Sequence, residues 1–194
     1  NNLVSVIGSM QSIKQRHQLQ GIAYLNSVNQ HLYALGPQEN HDGEILIWDS
    51  NILLGQFGQE QAFAHKASEV SAIFLVSATV HHWQETIIPQ HVKTYPELEA
   101  FIQKTAQEHN IDVQRPFPFL IKGTPETIHW HINQPPQFAN WHPPLPKYRN
   151  VLKQQRVDLL GFFSQQHEGI FTHKGRATHI PVSYTHLTLP TNDQ

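Results

Sequence analysis

The sequence has no cysteine at all. That excludes disulfides, thiolate metal sites and cysteine nucleophiles. It also lacks any apolar run approaching the ~20 residues of a membrane-spanning helix, and Asn1 to Met10 does not show the basic-then-apolar order of a secretory signal. No membrane partner is expected, and the compartment stays open between cytoplasm and export. Charge is scarce: Asp, Glu, Lys and Arg make up 14% of the chain, and the formal net charge is -2. Without a basic run there is no phosphate-tracking surface, so nucleic acid is not an expected partner either. Internal repeats and low-complexity blocks are absent.

Histidine is what the chain has in excess, 15 residues against 13 lysines and arginines together. His17, His31, His65, His91 and His109 read as polar surface positions. Histidines paired at structured spacing carry more weight.

The last stretch reads differently from the rest. Val182 to Thr191, "VSYTHLTLPT", has the back-translation GTC TCT TAT ACA CAT CTG ACG CTG CCG ACG, which resembles the transposon-end adapter used in preparing sequencing libraries. The expectation is therefore an incomplete domain over residues 1–180 and a non-native, adapter-derived tail over residues 181–194, in a gene fragment open at both ends that starts at Asn1. Codon 181 would keep only its first base, C, from the gene, so a histidine, leucine, proline, glutamine or arginine could have stood at Pro181. The tail alternates and is rich in β-branched residues, so it is expected to pack poorly or to dock as a makeshift edge strand.

Along the body of the chain, residues 11–20 suit a short helix. "LYALGPQENHDGEILIWDSNILLGQFG" reads as three strands, punctuated by Gly36-Pro37, Asp42-Gly43 and Asp49-Ser50-Asn51. "SAIFLVSATV", residues 71–80, is apolar throughout and suits one buried strand. Thr94 and Glu97 form a capping box with Pro96 in the first turn, and Leu98, Phe101, Ile102 and Thr105 share one stripe, the signature of a helix. Residues 117–133 give two strands around Gly123-Thr124-Pro125. In the second, Ile128, Trp130 and Ile132 alternate with His129 and His131. A Pro-rich loop covers residues 135–146, Val157 to Ser164 is a further buried strand, and "GIFTH" and "ATHI" are candidates for two more. Strands dominate without strand-helix alternation, so the class is α+β with mainly antiparallel sheet, in part mixed, and few helices.

Three features could carry chemistry. In "HEGIFTHKGRATHI", His179 is the surviving half of a possible His-x-His. Such a pair puts two imidazoles on one strand face, where they can converge on zinc; a lone histidine there can equally be structural. His129-Trp130-His131 is an intact His-x-His, either a metal pair or two polar residues on a solvated face. Glu44, in "HDGEIL", follows a tight turn, a place where a glutamate is either solvated or aimed into a site.

The segments "ALGPQENHDGEILIWDSNILL", "FPFLIKGTPETIHWHIN" and "VDLLGFFSQQHEGIFTHKGRATHI" resemble, in order and spacing from Leu32 to Ile180, those of the α-acetolactate decarboxylases. In that family an Asp-Gly-Glu hairpin is followed by a strand, Gly-Thr and a second strand, then by a Gly-Phe strand leading to a His-x-His. The resemblance implies a two-lobed α+β fold and zinc-dependent decarboxylation of 2-acetolactate, a 2-hydroxy-3-oxo acid, to acetoin, with no organic cofactor. It places Glu44 in the active site and makes His179 a zinc ligand. The second ligand falls at position 181, where proline cannot coordinate; the third histidine and a late catalytic glutamate fall beyond it. The family's active-site arginine falls at His131, which keeps a donor but loses the permanent forked charge suited to a carboxylate.

Glu44 and His131 are thus the expected catalytic residues, and His179 and His173 the expected metal residues, since a turn at Lys174-Gly175 would fold His173 back beside His179. His129, His131 and His167 are weaker substitutes. One imidazole cannot hold zinc, so the chain as it stands is expected to be inactive. Glu44, His131 and His179 are expected to converge on one cavity, and a homodimer is left open. Two alternatives stand beside the decarboxylase: a zinc hydrolase or isomerase of another oxo acid, suggested by His131, and a histidine-rich metal-binding module without turnover.

Overall fold

The computed structural model describes residues 4–166 and 178–179. The tail over residues 181–194 and the expected "GIFTH" strand with His173 lie outside them. The described elements run β1 (Val4–Ile7), α1 (Met10–Arg16), β2 (Ala23–Leu25), β3 (Leu32–Pro37), β4 (Glu44–Trp48), β5 (Asn51–Gly58), β6 (Gln61–Lys66), β7 (Val70–Ala72), β8 (Leu75–Thr79), α2 (Tyr95–Glu108), β9 (Phe117–Gly123), β10 (Thr127–Asn133), β11 (Lys147–Lys153), β12 (Val157–Phe163) and β13 (Thr178–His179). Their described pairings are antiparallel, and the α+β expectation is met. Among the described residues no helix is long and apolar enough to cross a membrane.

Local chemistry explains most boundaries. Asp49 and Ser50 take φ of 43° and 70°, the mirror-image turn that matches strand twist, and Asn51 braces it by donating to the Trp48 and Asp49 carbonyls. Ser9 caps α1, accepting the Ser12 N–H at 3.3 Å, and His17 ends the helix in the left-handed region at φ 53°. That helix is shorter than the expected 11–20. Thr94 caps α2 by accepting the Glu97 N–H at 3.3 Å, as the capping box requires.

One expectation about strands is corrected. The apolar run 71–80 is not one strand: β7 pairs with β2, while β8 pairs with β1 and β3. The chain bends at Ile73-Phe74, where it crosses Gly36 so closely that a Cβ there would stand 2.1 Å from the Phe74 carbonyl oxygen. The two strands expected around Gly123 are present as β9 and β10; β9 joins β12 and β10 joins β11. β11, which continues the chain out of the Pro-rich loop, had no counterpart in the sequence reading.

The central sheet has the order β1-β8-β3-β4-β5-β6. On one face, Ala34, Ile45, Ile47, Ile52 and Leu54 pack with Ala23, Val70 and Ala72 of the small β2–β7 sheet. On the other, Tyr33, Leu35, Leu46 and Val76 pack with Leu160 and Phe162 of β12. The period of two puts Glu44 on the face of Leu46, the side covered by β12.

Candidate functional site

The loop joining β3 to β4 builds the site. Asn40 and His41 both adopt left-handed φ, 61° and 58°, and Gly43 follows at 98°. Backbone strain of this kind concentrates at functional positions. Only glycine fits at 43, because a Cβ would stand 2.2 Å from the Gly55 carbonyl oxygen. The Gln38 N–H donates to the Gly43 carbonyl at 3.0 Å, and the Gly43 N–H donates to the Asn133 carbonyl at 3.0 Å. The loop is thereby tied to the end of β10, which lies far away in the sequence.

His41 is 5% exposed. Its Nδ1 lies 2.8 Å from the Gln134 carbonyl; a carbonyl only accepts, so Nδ1 carries the hydrogen and Nε2 keeps its lone pair. Burial pulls the imidazole pKa down to about 4, aided by the nearby Lys147 charge and opposed by the Gln134 hydrogen bond. The ring is neutral at physiological pH.

Glu44 is 7% exposed at the first position of β4. Burial raises its pKa to about 7, against the lowering influence of the Lys147 charge and of the Asn133 hydrogen bond. The Asn133 amide donates to Glu44 Oε1 across 89 residues of sequence. Asn133 Oδ1 is buried and takes no hydrogen bond among the described residues. Lys147 is the cross-strand partner of Asn133 at the start of β11.

Beyond this pair the β10–β11 hairpin is two-faced. Ile128, Trp130 and Ile132 share a face with Leu152, Asn150 and Tyr148, and Tyr148 stacks on Phe57 of β5 with ring centroids 4.2 Å apart. The other face carries the pairs Asn133 with Lys147, His131 with Arg149, and His129 with Val151. A groove of about 230 Å³ runs beside His129, His131, Arg149 and Val151.

Solved structures of similar architecture exist. A protein of unknown function from Staphylococcus aureus, described as similar to α-acetolactate decarboxylase, matches with a TM-score of 0.66 and 16% identity over 91% of this chain and 73% of that one. Acetolactate decarboxylase from Bacillus subtilis subspecies spizizenii gives 0.65 and 16% identity over 91% and 75%, and the enzyme from Bacillus subtilis strain 168 gives 0.58 and 12% over 91% and 73%. The fold is that of the acetolactate decarboxylases. No family model matches the sequence, and no curated protein matches it. At these identities the likeness is one of backbone architecture.

Within the acetolactate decarboxylase fold, the expected residues are distributed as follows. Glu44 is buried and meets the inner end of β10 through Asn133. His131 is half-buried on the Asn133 face of β10, two residues further along, a step of roughly 7 Å on a strand. His179 lies on β13 opposite Phe162, and β12 covers the sheet face that Glu44 shares; the His179 side chain and His173 lie outside the described residues. Among the described residues no three His, Asp or Glu side chains are placed to hold a metal ion. The described residues therefore do not make a zinc site.

Sequence reasoning passed over His41, Asn133, Lys147 and Arg149. Asn133 was legible in principle, since the alternation that puts His129 and His131 on one face continues to it. His41 directly precedes Asp-Gly-Glu. Lys147 and Arg149 gave no signal, because β11 itself was not recognised.

Proposed function

We propose that this protein is a carboxy-lyase that removes CO₂ from a 2-hydroxy-3-oxo acid, taking 2-acetolactate to acetoin. The observation that carries the proposal is a glutamate buried beside a lysine, with a pKa of about 7, at the turn-strand junction of this fold. Loss of CO₂ leaves an electron pair that the adjacent ketone takes up as an enediolate, and the carbon must then be protonated. A carboxyl group that titrates near neutral pH is suited to deliver that proton and to be recharged from solvent. Asn133 holds the carboxyl group through its amide, and its unpartnered Oδ1 offers an acceptor for the substrate hydroxyl. The Lys147 ammonium stabilises negative charge developing on the substrate.

Zinc belongs to the proposal as a group that would draw on His179 and His173 and, when bound, polarise the ketone. The proposal further includes an inactive chain as it stands, because proline occupies position 181, where a second zinc-ligating histidine is expected. The test is acetoin and CO₂ release from racemic 2-acetolactate by the Pro181→His variant, supplied with zinc. Turnover that falls by about 10²–10⁴-fold in Glu44→Gln, the usual weight of a general acid, is expected. A zinc-loaded protein that releases no CO₂ would refute the proposal.

A further inference from the structure

The polar face of the β10–β11 hairpin concentrates positive and protonatable groups, and its one permanent guanidinium comes from a strand other than the one that carries the histidines. His131 and Arg149 are directly opposed in the antiparallel register, where Cβ atoms of facing residues stand about 4.5–5.5 Å apart. Lys147 precedes Arg149 by two positions on the same face, and His129 precedes His131 by the same interval. The acid this face meets is Glu44, at its inner end. Arg149 is exposed and, among the described residues, has no carboxylate partner.

The groove beside it is bounded by His129, Trp130, His131, Arg149, Asn150 and Val151. Trp130 and Asn150 alternate to the opposite face, and His129, His131, Arg149 and Val151 share this one. At about 230 Å³ the groove falls below the roughly 300–1,000 Å³ of drug-sized pockets, a size suited to a small acid.

We infer that Arg149 is the carboxylate-binding residue of this protein, gripping the acid group of a small 2-hydroxy or 2-oxo acid in the groove it shares with His131. A guanidinium meets a carboxylate through two parallel N–H donors, which fixes the orientation of the acid as well as its position. His131 contributes a further ring nitrogen beside that contact. The histidine at position 131 thus does not remove anion recognition from the site; the opposing strand supplies it. The inference rests on reading the site as one for a small acid, but not on the acid losing CO₂.

The test is direct binding to the 194-residue chain, followed by nuclear magnetic resonance of the arginine side-chain N–H groups. The probe is 2-hydroxy-2-methylpropanoate, which has no ketone to drive decarboxylation, and its uncharged amide is the control. The acid is expected to shift one arginine signal, which Arg149→Gln deletes, and the amide is expected to leave it in place. Arg149→Gln should weaken binding by about tenfold or more, the weight of a charge-assisted hydrogen bond. Arg149→Lys should recover part of the affinity, and Arg156→Gln, in the turn before β12, should bind as the parent does. Equal binding of acid and amide, no binding of the acid, or unchanged affinity in Arg149→Gln would overturn the inference. Arg149-dependent binding in a protein that never releases CO₂ would uphold it while refuting the lyase. In an active lyase, an unchanged KM in Arg149→Gln would overturn it while upholding the lyase.

Discussion

Two buried groups on either side of Gly43 titrate in opposite senses, and removing either one should expose the other in the pH dependence of stability. Glu44 has a folded pKa of about 7 against an ordinary 4.5. Between those values the folded protein binds more protons than the unfolded chain, so stability falls as pH rises. At about 1.36 kcal/mol per pH unit, the gap is worth about 3.4 kcal/mol. His41 has a folded pKa of about 4 against 6.5. There the unfolded chain binds more protons, so stability rises with pH, also by about 3.4 kcal/mol. Together the slopes cancel between pH 4.5 and 6.5.

Glu44→Gln should leave the His41 slope alone, so that stability climbs by about 3 kcal/mol from pH 4 to 6.5 and then levels. His41→Asn, a residue that tolerates the left-handed backbone at that position, should leave the Glu44 slope, with a fall of about 3 kcal/mol from pH 4.5 to 7. Urea unfolding at fixed ionic strength, followed by tryptophan fluorescence at half-unit pH steps, reads these curves. All other titrations are common to the three proteins and cancel in the differences. Superimposable pH profiles for the parent and both variants would refute the placement of these groups in a low-dielectric pocket.

Lys147→Met should raise the Glu44 pKa further, because the charge that favours its ionised form is gone. Carbon-13 titration of the Glu44 carboxyl group should place its midpoint above the parent's, and a lower or equal midpoint would contradict the proximity of the two groups. Gly43→Ala forces a side chain into a positive-φ position against the Gly55 carbonyl; strain of about 1–3 kcal/mol is expected from the backbone alone. The unfolding midpoint should drop accordingly, and a variant as stable as the parent would show that the turn is not held as described.

Some features followed from the sequence alone because they depend on neighbours along the chain. The Thr94 cap, the turn at Asp49-Ser50, the glycine at 43 and the alternation through Ile128 to Ile132 are all set within a few residues. They fix a helix, a hairpin, the position of Glu44 after a turn and a two-faced β10. Which strands meet was not legible. The apolar run 71–80 announces burial, but burial on both faces is equally compatible with one strand or with two in different sheets. The strands around Gly123 are legible one by one, but their partners, β12 and β11, lie downstream and are set by the fold. "KYRNVLK" carries little apolar signal of its own, and only its pairing with β10 brings Lys147 and Arg149 to the site. The raised pKa of Glu44 and the lowered pKa of His41 likewise come from tertiary structure. Both follow from the exclusion of water by segments some ninety residues away, and desolvation is a property of the enclosing fold that no local spacing encodes.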